Sequence, residues 1–133
     1  CKRQQDYLTE VTNEVMALGP YFRAVVDSLD FFLQRDDPAR VVAMVRMLQA
    51  HAQMYRGLLF ITVSTDGLSP NVKQELASIA DMVLSFQVRT IGTDFETSMM
   101  VSKFRNAPEN LKILVFRVTP EEGITPETVE RIA

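Results

Sequence analysis

Three short apolar runs alternate with segments of helical periodicity along the first two thirds of the chain, and this alternation restricts the fold more than any other feature. The runs centre on Val25-Val26, on residues 58–63 and on residues 82–86. Parallel strands need a crossover of a dozen or more residues, usually a helix, so this order favours parallel pairing. Buried parallel strands are also continuous Val, Ile and Leu runs. The sequence therefore predicts an α/β fold with a mostly parallel sheet and flanking helices, in which the strands of Val26, Phe60 and Leu84 share one sheet.

Capping residues mark the ends of the predicted helices. Apolar residues at helical spacing predict a first helix over residues 6–18, which Gly19-Pro20 terminates. Asp37-Pro38 supplies a cap and a first-turn proline for a long helix that ends at Gly57. Ser69-Pro70 repeats this signal before the third run. Each predicted strand is thus preceded by a helix.

The pattern changes in the last third of the chain. Residues 95–104 and 112–118 are strand-like, and the seven residues between them leave no room for a helix. This spacing predicts a C-terminal antiparallel β-hairpin added to the parallel sheet. Thr125-Pro126 then resembles a cap and first turn, which predicts a short terminal helix to residue 132.

Polar residues follow the first two predicted strands directly. Asp27 and Ser28 end the first run, and the turn at residues 64–66 follows the second. In open α/β sheets ligands bind at the carboxyl ends of the strands. An Asp at that position can hold Mg²⁺ bound to nucleotide phosphates, as a Walker B acid does. The alternative is that Asp27 ends a core strand and caps the next turn.

Composition excludes several classes of protein. A chain of 133 residues with 47% hydrophobic residues is about one domain, and no apolar run approaches the roughly 20 residues that cross a bilayer. The net charge of -3 disfavours broad attraction to nucleic acid or to anionic membranes. One cysteine and one histidine exclude a disulfide framework and a structural zinc site, so we expect a cytoplasmic protein whose metal, if it has one, is bound by oxygen. We expect residue 51, the histidine, to be half-buried on the long helix.

Four segments together carry a family resemblance that extends from about Leu8 onward. They are Phe22-Arg23-Ala24-Val25-Val26-Asp27-Ser28-Leu29, Ile79-Ala80-Asp81-Met82-Val83-Leu84, Val101-Ser102-Lys103-Phe104-Arg105-Asn106 and Phe116-Arg117-Val118-Thr119-Pro120. In this order they resemble the C-terminal half of a RecA-superfamily ATPase core of the KaiC/RadA-like branch. The resemblance implies a partial RecA-like P-loop NTPase fold over residues 1–133.

The resemblance also implies roles for individual residues. Asp27 corresponds to the Walker B acid that supports Mg²⁺, with Ser28 beside it at the nucleotide. Lys103 and Arg105 correspond to a Lys-x-Arg pair that reaches the γ-phosphate held by the neighbouring subunit of a ring. They would then be catalytic residues acting in trans, and the partner would be another copy of the chain or the other half of the parent protein.

One departure from the family changes the expected activity. The sequence contains no G-x-x-x-x-G-K-[ST] phosphate-binding loop, because none of its five glycines precedes a lysine. The family's general base also lies on the half that is missing here. The resemblance therefore implies that ATP and Mg²⁺ bind only in the complete domain, and that this chain alone does not hydrolyse ATP.

Two other interpretations stay open at this point. The chain could be a non-catalytic RecA-like interaction module, with Lys103 and Arg105 as solvated cations beside a turn. A receiver-like signalling domain would use Asp27 or Asp66 at a strand end, but no acidic pair precedes either aspartate and a receiver needs no terminal hairpin. For a chain of this kind we also expect exposed apolar surface and self-association.

Overall fold

The computed structural model describes residues 5–106 and 113–127. They form two compact units, one ending at Ala80 and the other beginning at Asp81. The elements of the first unit are α1 (Tyr7–Met16), β1 (Arg23–Val26), α2 (Asp30–Leu33), α3 (Pro38–Tyr55), β2 (Leu58–Ile61) and α4 (Pro70–Ile79). Those of the second unit are β3 (Met82–Ile91), β4 (Asp94–Phe104), β5 (Ile113–Thr119) and β6 (Gly123–Glu127).

The first unit is built on a parallel pair of strands. β1 pairs with β2 from Arg23 opposite Leu58 to Val26 opposite Ile61. The 18-residue helix α3 makes the connection, which confirms the predicted crossover. On one face of the pair Val26 is buried in the core, whereas Val25 and Phe60 on the other face are 67% and 54% exposed. The pair is therefore covered by apolar core on one side only.

Helix α3 supplies a larger share of the buried core than any other described element. Its residues Val41 and Leu48 are fully buried, and Leu29 from the segment after β1 is almost as completely enclosed. His51 is buried rather than half-buried, and its Nε2 lies 2.9 Å from the carbonyl oxygen of Leu18. The ring is thereby held by a polar partner among apolar and aromatic neighbours.

The caps predicted at Asp37 and Ser69 are confirmed, and Asp6 caps α1 in the same way. The side chains of Asp6, Asp37 and Ser69 each accept a hydrogen bond from a backbone amide in the first turn of α1, α3 and α4. Helix α3 ends at Tyr55, directly before its C-cap Arg56 and the predicted terminator Gly57, and Arg56 takes the left-handed conformation with φ of 53°. The packing of Phe22 explains why position 57 is a glycine, because a Cβ there would lie 2.2 Å from Cε1 of the Phe22 ring.

The second unit is one antiparallel sheet in the order β3-β4-β5-β6. The antiparallel pairing of β4 with β5 confirms the predicted hairpin. The strand of Leu84, however, was expected in the parallel sheet and instead pairs antiparallel with β4. A two-residue turn with Gly92 at φ of 61° folds the chain straight back after β3, so β4 becomes its antiparallel neighbour. Although α4 supplies the expected crossover before β3, this strand pairs with neither β1 nor β2 among the described residues.

Two further expectations are corrected by this sheet. Residues 125–127, expected to open a helix, lie in strand β6, which pairs with β5; the remainder of that predicted helix lies outside the described residues. Among the six strands of the described residues only β1 and β2 are parallel, so the expectation of a mostly parallel sheet is wrong. The fold is mixed α/β with one parallel and one antiparallel sheet.

The close approach of Phe22 to Gly57 predicts a large effect of a small substitution. We expect Gly57→Ala to lower the free energy of unfolding by about 1 to 3 kcal/mol, because the buried Phe22 ring has to move. Gly19→Ala is the matched control, since no atom lies within 4 Å of a Cβ at that position. Urea denaturation of the three proteins measures the difference, and equal stability of both variants would contradict the packing argument.

Candidate functional site

The carboxyl ends of β1 and β2 are joined beyond the last residues of the strands. The amide of Thr62 donates to the carbonyl of Val26 at 3.1 Å, and the amide of Leu29 donates to the carbonyl of Thr62 at 3.0 Å. The Thr62 hydroxyl also donates to Oδ1 of Asp27 at 2.5 Å. The carboxylate of Asp27 is therefore oriented by the neighbouring strand end, and it is exposed to solvent.

Asp30 makes a second connection between the two strand ends. Its Oδ2 accepts from the Ser28 hydroxyl at 2.7 Å and from the backbone amide of Ser64 at 3.0 Å, with Oδ1 at 3.3 Å from the same amide. These bonds favour the ionised form, so the Ser28 hydroxyl first and the Ser64 amide second lower the pKa of Asp30 below its usual range. Asp30 is thus a structural anion that holds both chain segments in place.

Together these residues form a site that we call the carboxyl-edge cluster, consisting of Asp27, Ser28, Asp30, Thr62 and Ser64. All of its side-chain donors and acceptors are hydroxyl or carboxylate oxygens, which suit Mg²⁺ rather than a soft metal. Within residues 5–106 and 113–127 no group of three His, Cys, Asp or Glu side chains could hold a metal by itself. The cluster therefore fits an ion that takes one or two protein oxygens and completes its shell with water and phosphate.

Sequence reasoning found part of this cluster. Asp27 and Ser28 lie where they were predicted, and Ser64 from the predicted turn lies at the same edge. Asp30 and Thr62 were missed. Asp30 follows Asp27 by three residues, and Thr62 directly follows β2. Only the pairing of two distant strands brings Thr62 to Asp27 and Ser64 to Asp30.

Lys103 and Arg105 belong to the second unit. Lys103 lies opposite Val83, next to a bulge at which the register between β3 and β4 shifts, and its side chain is half-buried. Arg105 lies one residue beyond β4, where its guanidinium is 2.8 Å from the Asp81 carboxylate. Its amide also donates to the carbonyl of Asp81 at 3.0 Å. Arg105 therefore closes the open end of the β3-β4 hairpin.

Comparison with known families gives a match over almost the whole chain. Residues 2–125 match the model of a family of unknown function, DUF7125. The chain belongs to the DUF7125 family. No curated protein sequence matches it. The carboxyl-edge cluster lies within the part of the chain that DUF7125 covers.

Solved structures define the fold of this DUF7125 member. The flagellar accessory protein FlaH from Methanocaldococcus jannaschii matches with a TM-score of 0.70 at 19% identity, over 96% of this chain and 57% of that one. A KaiC-like protein from Pyrococcus horikoshii OT3 matches with a TM-score of 0.62 at 18% identity, over 92% of this chain and 53% of that one. The chain therefore has a KaiC/RadA-like fold and spans a little over half the length of these two structures.

Among the helices of residues 5–106 and 113–127, none combines the length and the apolar character that crossing a membrane requires.

The hydrogen bonds of Asp30 predict a change in acid stability. Because its folded pKa lies below the usual 3.8, ionised Asp30 stabilises the fold above that value, and the contribution is lost as the pH falls through the lower folded pKa. We expect Asp30→Asn to cost roughly 1 to 2 kcal/mol at neutral pH. The variant should also lose less stability than the wild type on acidification from about pH 5 to about pH 2.

Ser28→Ala is the matched variant for this experiment. It removes the Ser28 hydroxyl, which lowers the pKa of Asp30 more than the Ser64 amide does, and it leaves the Asp30 carboxylate in place. We expect an intermediate acid dependence for Ser28→Ala, measured by urea denaturation at several pH values. The free energy of unfolding could instead change with pH in the same way in all three proteins between about pH 5 and about pH 2. That result would show that Asp30 does not act as a bound anion.

Proposed function

We propose that the chain is the C-terminal part of a KaiC-like ATPase core of the RecA superfamily, and that residues 1–133 act as one partial domain. The observation that carries the proposal is the position of Asp27. Its carboxylate lies at the carboxyl end of a parallel strand and is oriented by Thr62 from the adjacent strand, in a KaiC/RadA-like fold. Ligands of open α/β sheets bind at this edge.

The carboxylate of Asp27 is suited to bind Mg²⁺. One oxygen accepts the Thr62 hydroxyl, and within the described residues no partner is seen for the other oxygen. A bound Mg²⁺ would neutralise charge on the nucleotide phosphates. Asp27 would hold the ion directly or through water, while Ser28 keeps Asp30 in place and the exposed edge admits the nucleotide.

Lys103 and Arg105 are proposed to act on the nucleotide of a neighbouring subunit. Cations positioned at a transferring phosphoryl group stabilise the charge that develops on it. Arg105 now pairs with Asp81, and both side chains are about half exposed. An exposed ion pair of this kind contributes about 0 to 1 kcal/mol, so a phosphate can replace Asp81 as the partner at little cost.

The chain by itself is not expected to turn over ATP. Its sequence holds no G-x-x-x-x-G-K-[ST] loop, and without one no backbone cradle for the phosphates is available. In this proposal the loop and the general base come from residues outside these 133. The reaction therefore takes place only where both parts are assembled.

The proposal predicts separate effects for the two groups of residues, measured in a protein that joins this chain to a P-loop. Asp27→Asn should weaken both Mg²⁺-ATP binding and turnover. Lys103→Ala and Arg105→Ala should each lower turnover on the order of a hundredfold or more while binding changes little. Arg117→Ala is the matched control, because this arginine lies on β5 and pairs with Glu127.

Mixed oligomers test the action in trans. An Asp27→Asn subunit combined with an Arg105→Ala subunit should regain activity at interfaces that join an intact Asp27 to an intact Arg105. No recovery, in mixtures whose co-assembly is verified by native mass spectrometry, would refute the trans role. Turnover that depends on Asp27 alone would assign Lys103 and Arg105 to the support of the hairpin.

A non-catalytic interaction module is the second candidate, and the carboxyl-edge cluster provides its argument. Asp30 is already bound by Ser28 and Ser64, and Asp27 by Thr62, so the cluster holds β1 and β2 together without a ligand. Mg²⁺-ATP binding that is unaffected by Asp27→Asn, together with a loss of stability in that variant, would favour this second function.

A further inference from the structure

Methionine side chains surround the single histidine of the chain, where α3 packs against the end of α1. They line an open groove whose residues are Met16, Met47, Ala50, His51, Met54 and Tyr55. We call it the methionine-histidine groove. Its three methionines are between 40% and 77% exposed, whereas the histidine is buried. None of the described residues that line it is Asp, Glu, Lys or Arg. Apart from the Tyr55 hydroxyl, its side-chain donor atoms are therefore thioether sulfurs and an imidazole nitrogen.

Helix geometry places these side chains next to one another. Met47, His51 and Met54 follow at spacings of four and three residues on α3, which puts them on one face of the helix. Met16 is the last residue of α1 and lines the same groove. A methionine side chain has three rotatable bonds, so sulfurs from neighbouring turns can approach one point. The groove can thus present three sulfurs beside one imidazole ring.

The hydrogen bond of His51 determines which ring nitrogen can bind a ligand. Its Nε2 lies 2.9 Å from the carbonyl oxygen of Leu18, and because a carbonyl only accepts, Nε2 carries the ring hydrogen. In the neutral ring the lone pair is then on Nδ1. Within the described residues Nδ1 has no hydrogen-bond partner, and no buried side-chain nitrogen lacks one, so Nδ1 keeps contact with solvent. Histidines that bind metal through one nitrogen ordinarily donate the other to such a carbonyl.

These donor atoms suit a soft ion of single charge. Thioether sulfur selects Cu⁺ among biological metals, whereas Mg²⁺ and Ca²⁺ require oxygen ligands. The rings of Phe22 and Tyr55 lie beside the His51 imidazole, at centroid distances of 5.2 and 4.5 Å, so its immediate neighbours supply no carboxylate for a divalent ion. Packing against another protein surface would use the apolar side chains, but it would not use a lone pair on a ring held in one orientation.

We propose that the methionine-histidine groove binds Cu⁺, with Nδ1 of His51 and the sulfurs of Met47 and Met54 as ligands and Met16 as a further one. The site shares no residue with the carboxyl-edge cluster, so it does not depend on the proposed nucleotide site. The end of α1 supplies both Met16 and the Leu18 carbonyl that orients the ring. Binding would therefore also tie α1 to α3.

The single histidine allows the site to be observed directly. Nitrogen NMR spectra of the Cys1→Ser chain, isotopically labelled at histidine, are recorded during titration with Ag⁺, which has the charge and softness of Cu⁺ but keeps its oxidation state. Cys1 is replaced because a thiol binds the same ions. We expect the Nδ1 resonance of His51 to shift up to one equivalent of Ag⁺, with Nε2 still protonated, and Mg²⁺ to shift neither. An Nδ1 resonance that does not respond to Ag⁺, or responds equally to Mg²⁺, would overturn the proposal.

Methionine-to-leucine variants of the Cys1→Ser chain identify the sulfurs, because leucine keeps the apolar volume and removes the ligand atom. In anaerobic competition with bicinchoninate for Cu⁺, Met47→Leu and Met54→Leu should each lower the Cu⁺ affinity at least ~10-fold. Met100→Leu is the matched control, because Met100 lies on β4 of the second unit, and it should bind Cu⁺ as the Cys1→Ser chain does. Urea denaturation verifies that the variants are folded. Unchanged affinity in Met47→Leu and Met54→Leu, or an equal loss in Met100→Leu, would show that the groove is an apolar packing surface and not a metal site.

Discussion

The parallel pairing of β1 with β2 is the constraint on which the first unit depends. Parallel strands cannot be joined by a tight turn, so the chain between them has to cross over, and α3 makes that crossing while burying Val41 and Leu48. The same pairing brings the two carboxyl strand ends together. The carboxyl-edge cluster exists only because the residues after β1 and β2 emerge side by side.

Two aspartates three residues apart have different parts in this cluster. Asp30 accepts from Ser28 and from the amide of Ser64, so its charge is satisfied by the protein and its pKa is lowered. Asp27 is exposed and accepts one hydroxyl from Thr62. A carboxylate that is oriented but incompletely satisfied is the one suited to a hydrated cation, whereas a fully bound carboxylate is suited to hold the chain.

The two units differ in how they bury apolar surface. The first encloses a core between helices and one face of its strand pair, while the described strands of the second expose both faces. Hydrogen bonding alone does not stabilise a sheet of this size, because most of the free energy comes from burying one face. The charges at Arg89 and Glu96 decide which face can remain in water.

The sequence by itself determined the features that depend on neighbouring residues. Capping at Asp37 and Ser69 was predicted correctly because a cap acts within one helical turn, and the parallel pair followed from the length of the connection between two apolar runs. Asp27 was found because it directly follows a strand. Only the tertiary structure decided that the strand of Leu84 runs antiparallel to β4, that residues 125–127 form a strand, and that Thr62 reaches Asp27. Strand partners and register depend on contacts between residues far apart in the chain, and local pattern does not encode which of several apolar runs a strand will pair with.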